Sequence, residues 1–445
     1  MNYKGHVLLF NLFFLVILIT ASVFFYKLPA DVKPVDILSD IKINNNARHD
    51  ITGVLPVKPV KKGVTIKDYT TYKGLINSSG DRFALNSFFA KLSALRKHKL
   101  RKVRIAYFGD SMIEGDLITQ DLRRLLQDNF GGDGVGFVPI TSIVAGFRQT
   151  IIHSFSGNWD DVNFKSDNKG DARLFISGHS FFANNSWVSY RAVNQPHLNL
   201  FTNVSVLYGQ PSNSNDVNSS VLINDVAHPL SAVSPFNMLS LKYNNISQVK
   251  LDASPTSVPL YGVAFESDSG VVVDNFSFRG ISGVELNYFS DAFIREVQKT
   301  RPYDLVIFHY GPNLLFKPNL TDFSWYTKRM QPILQRLKTA FAGSSMLIIS
   351  TADKGFNYNG TWHTAKGVVP LLNDQYDMAQ HTGADFFNLY NAMGGEDAIV
   401  KWVQGDTAYA NRDYTHVNFR GAKKLATIIF GVIINEFNEF AKSPD

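Results

Sequence analysis

IAYFGDSMIEGD, residues 105–116, is an apolar run that stops abruptly at Gly-Asp-Ser. Ile105, Tyr107 and Phe108 read as a buried strand. Gly109 lets the chain turn, and Asp110 and Ser111 stand where the strand ends. Gly, Asp and Ser are also ordinary turn residues. The tripeptide alone therefore leaves Ser111 open between a catalytic nucleophile and a serine that merely caps the next helix.

The flanking sequence predicts an α/β protein. FALNSFFAKLSALRKH (83–98) precedes the strand, with Phe83, Phe88, Leu92 and Leu95 on roughly one helical face. DLITQDLRRLLQDNF (116–130) follows it, with Ile118, Leu122, Leu125 and Leu126 at i, i+4, i+7 and i+8, an amphipathic helix. Beyond residue 268 the same rhythm returns. GVVVDNFSF, DLVIFHY, SMLIIS and DFFNL read as strands; the stretches between them, and residues 419–440, read as helices. With VRIAYF that makes five apolar strands alternating with helices, and right-handed crossovers place them in a parallel sheet covered on both faces. In such sheets ligands bind at the carboxyl ends of the strands, where Ser111 stands.

Residues 137–268 break the pattern. They lack helical periodicity, are rich in Asn, Ser, Gly and Pro, and carry short alternating pieces such as NVSVLYG, SSVLINDV, SQVKLDAS and PLYGVAFES. Short strands separated by turn signals predict a β-sandwich inserted into the α/β domain. The glycines of GGDGVGF (131–137) resemble a phosphate loop only superficially, because no helix opening with Lys follows.

The amino terminus is of another kind. HVLLFNLFFLVILITASVFFY (6–26) is an almost continuous apolar run, long enough for a helix to span a bilayer core. It reads as an uncleaved anchor, or else a signal peptide, with the body exported. Residues 27–75, with scattered prolines, read as an extended linker. The globular α/β part is expected over 76–136 and 269–445. The 445-residue chain has no cysteine, which excludes thiol catalysis, disulfides and Cys-based metal sites. Net charge is +6 without a dense Lys/Arg stripe, which gives nucleic-acid binding little support.

A serine nucleophile needs a base, and the base works best when a third group orients it. Among eleven histidines, His416 in NRDYTHVNFRG follows Asp413 by three residues. An Asp-x-x-His turn can set the carboxylate on Nδ1 and leave Nε2 for a serine. The turn follows the fifth strand, where a sheet-end site would collect residues. Two more strand ends, FRGISG (278–283) and HYGPNLL (309–315), offer backbone and side-chain donors for an oxyanion. Asp110 is expected to hold its turn by hydrogen bonds, and His309 to be a packed histidine. Trp362 and His363, in NGTWHTAKG, are candidates to line a substrate pocket, with a plain loop equally open. No metal or cofactor site is read from the chain.

FGDSM, GISG, YGPNL and DYTH together resemble the four motif blocks of the SGNH (GDSL-type) hydrolases. The resemblance covers roughly residues 100–136 and 268–440. It implies a three-layer α/β/α, flavodoxin-like domain with a five-stranded parallel sheet, Ser111 as nucleophile, His416 as base and Asp413 as its orienter. It also implies an oxyanion hole made by the Ser111 N–H, the Gly283 N–H and the Asn313 side chain, with Gly280 as the rival glycine. Many members have Gly-x-Asn-Asp; here Leu314 replaces the final Asp. The layout is similar to bacterial peptidoglycan O-acetylesterases. This implies an envelope serine esterase acting on an acetylated extracytoplasmic glycan, anchored to the inner membrane by its N-terminal helix. The alternatives are an O-acetyltransferase that uses the same triad with a membrane acyl-donor partner, and a non-catalytic glycan-binding protein.

Overall fold

The computed structural model describes residues 74–443, apart from 168 and 170–172. The apolar run 6–26 and the expected linker up to residue 73 lie outside the described residues. No helix among the described residues is long and apolar enough to cross a membrane.

The main sheet has six strands: β1 (Leu75–Ile76), β2 (Lys102–Gly109), β3 (Gly270–Ser277), β4 (Leu305–His309), β5 (Ser345–Ile349) and β6 (Asp385–Phe387). Their order is β1-β6-β5-β4-β2-β3. The pairs β3–β2, β2–β4, β4–β5 and β5–β6 are parallel, and β1 runs antiparallel to β6. The expected five-stranded, all-parallel sheet is thus a six-stranded mixed one. Sequence reading missed β1 because it is two residues long and its partner is more than three hundred residues away; Leu75 and Ile76 pair with Phe387 and Phe386.

Alternation along the strands assigns each residue to a face. Val103, Ile105 and Tyr107 of β2, with Leu305 and Ile307 of β4, join one apolar cluster. Ala106 and Phe108 of β2, with Val306 and Phe308 of β4, join the other. Helices α1 (Asn86–Arg96) and α2 (Thr119–Phe130) cover the first face. Helices α3 (Asp291–Thr300), α4 (Ser324–Ala340) and α5 (Val368–Thr382) cover the second. After β6 come two short helices, α6 (Leu389–Met393) and α7 (Ala398–Gln404), separated by GGED (394–397). The last helix, α8 (Phe419–Lys442), starts at Asn418, whose side chain accepts the Arg420 and Gly421 N–H groups. It buries Leu425, Ile429, Ile433 and Phe437, four residues apart, against the first face.

Between α2 and β3 the chain forms antiparallel sheets of five and six strands that share an apolar cluster. This block does not separate: all the described residues fall in one compact unit. Buried charges fix both ends of it. At its start, Asp116 takes a bidentate pair of 2.7 Å contacts from Arg123, a hydrogen bond of 2.8 Å from Thr150 and Arg148 at 3.4 Å. At its end, Glu266 meets Lys102 and Arg104 at 2.7 Å and Arg301 at 2.9 Å, while Arg301 also pairs with Asp274. Asp274 in turn accepts the Phe137 N–H at 2.8 Å. The glycine run 131–136 lies backbone against backbone on the exit strands. A Cβ at Gly136, which has φ 71°, would stand 2.6 Å from the Val273 carbonyl. Close approach, and not anion binding, accounts for those glycines.

Candidate active site

Along the parallel strands the order is β3-β2-β4-β5-β6, so the connections leave β2 in opposite directions. The point where the order reverses lies between β2 and β4. Ser111 follows β2 there, and Gly311, Pro312 and Asn313 follow β4. A buried carboxylate ties the two loops. Asp110 accepts the Met112 N–H at 2.9 Å, the Asn313 amide at 3.1 Å and the Gly311 N–H. Gly311 is required because a methyl there would collide with Thr351. Burial pushes the Asp110 carboxyl up to about 6, against these donors and the attraction of His416.

Facing these loops, residues 410–418 fold back on themselves. Ala410 bridges to Val417, and the Asn411 N–H donates to the His416 carbonyl at 2.8 Å. His416 Nε2 lies 2.8 Å from Ser111 Oγ. Its Nδ1 lies 2.6 Å from Asp413 Oδ2, and Asp413 Oδ1 accepts the backbone N–H groups of Thr415 and His416, each at 3.0 Å. Burial works against the Asp413 charge, but the donation from the His416 ring and those two N–H groups outweighs it and brings the carboxyl down to about 2. The structure therefore brings Ser111, His416 and Asp413 into one hydrogen-bonded chain, with the geometry of a nucleophile, a base and an orienting group.

The loops expected to supply an oxyanion hole are present, and their donors have partners. The Gly283 N–H donates to Glu285 Oε2 at 3.1 Å, as does the Ser282 N–H. The Asn313 amide donates to Asp110 and, at 2.8 Å, to the Ile281 carbonyl. The Ser111 N–H has no backbone acceptor among the described residues. Gly283 is buried against Tyr310 and Met330, with φ 96°. Gly280, also at positive φ, is exposed beside Lys165.

Trp362 and His363 lie on a hairpin, Gly355–Tyr358 paired with Thr361–Thr364. The Trp362 ring stacks on Tyr414 with centroids 3.7 Å apart and planes 5° off parallel. Its contact is with the Asp413–His416 turn, which the hairpin also supports through the Gly355 N–H on the Tyr414 carbonyl at 2.8 Å. His363 is spent on Asp397 at 3.1 Å. His309 is fully buried, its Nδ1 3.2 Å from the Tyr107 hydroxyl.

Lys354, past the end of β5, went unread in the sequence. Its ammonium donates to the Pro312 carbonyl at 3.0 Å. Burial lowers its pKa although Asp413 and Asp110 both attract the charge. Nothing in ADKGF marks it, since its position comes entirely from the packing of three loops.

No family model matches the chain, and no curated protein matches it. Among solved structures, one titled "Peptidoglycan O-acetylesterase in action, 5 min" aligns over 82% of this chain and 99% of its own, with a TM-score of 0.66 and 18% identity. The two share a fold over nearly all of that protein. A family two carbohydrate esterase from Cellvibrio japonicus covers 65% of this chain and 99% of its own at 11% identity, with a TM-score of 0.28. A lipase/acylhydrolase from Enterococcus faecalis covers 38% of this chain and 77% of its own at 13% identity, with a TM-score of 0.27.

Proposed function

We propose that this chain is an SGNH-type serine esterase that removes O-acetyl groups from an extracytoplasmic glycan, with peptidoglycan as the substrate. The observation that carries this reading is the chain Ser111 Oγ–His416–Asp413, at 2.8 and 2.6 Å, standing at the strand-order switch of the sheet. The shared fold with a peptidoglycan O-acetylesterase supports the substrate class.

His416 Nε2 takes the Ser111 proton as Oγ attacks the acetyl carbonyl carbon. The carbonyl oxygen gains the charge, and the Ser111 N–H, which has no backbone acceptor among the described residues, donates to it. Collapse breaks the C–O bond to the sugar, and the imidazolium returns the proton to the leaving sugar oxygen. Water, deprotonated by His416, then attacks the acetyl-serine; the acetyl C–Oγ bond breaks, Ser111 Oγ takes the proton back from the imidazolium, and acetate leaves. Asp413 holds the Nδ1–H tautomer throughout and stabilises the imidazolium.

The test is acetate release. The full chain is expected to liberate acetate from O-acetylated peptidoglycan and to hydrolyse p-nitrophenyl acetate, and Ser111→Ala to do neither. Accumulation of newly acetylated glycan from an activated acetyl ester, with little free acetate, would replace the esterase by an acetyltransferase.

A further inference from the structure

The turn after β4 runs Gly311-Pro312-Asn313-Leu314 and is closed by the Leu314 N–H on the Gly311 carbonyl at 2.8 Å. Proline in its second position suits type I and type II turns alike, and Asn in its third tolerates the positive φ that type II requires. The two forms differ by a flip of the central peptide, here Pro312–Asn313, so the local sequence does not choose between them. Asn313 has negative φ, which makes this turn type I. In that form the Asn313 amide bridges two other loops. Its Nδ2 donates to Asp110, the neighbour of Ser111, at 3.1 Å, and to the Ile281 carbonyl, on the loop of Ser282 and Gly283, at 2.8 Å. A flip of the central peptide takes the Asn313 φ from negative to positive, re-aims the side chain and breaks this bridge.

Lys354 holds the central peptide. Its Nζ donates to the Pro312 carbonyl at 3.0 Å. The lysine is itself fixed from the other side of the site. Its carbonyl accepts the Ala365 N–H at 2.7 Å, and the N–H of the next residue, Gly355, donates to the Tyr414 carbonyl at 2.8 Å. Its ammonium lies 5.4 Å from the centre of the Phe356 ring, and Asp413 and Asp110 both attract the charge. A flipped peptide would turn the Pro312 carbonyl away and set an N–H toward the ammonium, which can only donate. We infer that Lys354 is a positioning residue of the active site: its hydrogen bond to Pro312 selects the type I turn and so holds the Asn313 bridge between the Ser111 loop and the loop 278–283. The inference rests on the esterase reading for its kinetic readout alone.

The experiment is a double-mutant cycle on p-nitrophenyl acetate hydrolysis by the full chain, with circular dichroism reporting that each variant is folded. Asn313→Ala is expected to lower kcat by about 100-fold, the scale of a donor lost at such a site. Lys354→Met keeps the stem and removes the donor; it is expected to lower kcat by about 10- to 100-fold with little change in KM, bounded by the loss at Asn313. The double variant is expected to fall no further than Asn313→Ala alone, because a bridge already lost cannot be lost again. Lys354→Arg restores a donor and is expected to recover most of the rate. An unchanged kcat in Lys354→Met overturns the inference. So do losses that multiply in the double variant, which would assign the effect of Lys354 to its charge beside Asp413. Crystal structures of the wild type and Lys354→Met supply a readout without turnover: in the variant Asn313 is expected at positive φ, with its amide off Asp110 and Ile281. Wild-type turnover with an unmoved turn in the variant leaves the esterase and removes the positioning role; a flipped turn in a protein that does not hydrolyse the ester does the reverse.

Discussion

Ser111 Oγ and His416 Nε2 lie 2.8 Å apart across 305 residues of sequence. The two loops meet because β2 and the chain after β6 deliver them to the same end of one sheet. Ser111→Ala and His416→Ala are each expected to lower kcat on p-nitrophenyl acetate by roughly 10⁴- to 10⁶-fold, the range seen when a triad member is lost. Asp413→Asn is expected to cost less, since it acts through the imidazole. Steady-state kinetics on folded protein decide the matter, and a Ser111→Ala enzyme with a tenth of the wild-type rate would remove Ser111 as nucleophile.

Glu285 occupies the N–H groups of Ser282 and Gly283. If the Gly283 N–H serves the oxyanion, the carboxylate competes with the reaction for it. Glu285→Gln replaces a charged acceptor by a neutral one, a weakening of about 1.4 kcal/mol. The expected result is a kcat up to about tenfold higher on small acetyl esters. A fall in kcat would show instead that Glu285 shapes the loop and that Gly283 is not the donor.

Asp116 neutralises two buried guanidinium groups and fixes the start of the inserted block. Asp116→Ala leaves Arg123 and Arg148 buried without a counter-charge, at a cost of about 3–5 kcal/mol. Urea unfolding should show that loss as one transition for the whole body, because the inserted block and the sheet share one compact unit. An early transition confined to part of the signal would mean that the block folds by itself.

Two carboxylates give opposite pH signatures. Asp110, held up at about 6 by burial, has a folded value above its unfolded value of about 3.9. The native state takes up this proton first, so between pH 6 and 4 this group favours folding as pH falls. Its protonation nevertheless removes an acceptor from the Met112, Gly311 and Asn313 donors, and kcat/KM is expected to fall below about pH 6. Asp413, brought down to about 2, contributes stability present above about pH 4 and lost as pH falls toward 2. The check is a pH profile of kcat/KM beside one of Tm. Asp110→Asn should move the acid limb of activity, and an unmoved limb would clear Asp110 of it.

The sequence by itself determined the parts that local rules control. Short apolar runs in VRIAYF and DLVIFHY place strands, and i, i+4 spacing places α2 and α8. Asp413 and His416 pair within one turn, so their relation was legible from their spacing. The short elements escaped: β1, α6 and α7 are each too short for a period to show. Tertiary structure alone decided everything that depends on distant packing. It set the Ser111–His416 contact, the partner of the Gly283 N–H, the place of Lys354 beside the site and the use of Trp362 as a prop for Tyr414. It also decided that the inserted block is bound into the body by Asp116, Glu266 and Asp274. The physical reason is the same in each case. A hydrogen bond or buried ion pair is set by which loops the sheet topology brings within about 3 Å of one another, and no spacing along the chain encodes that distance.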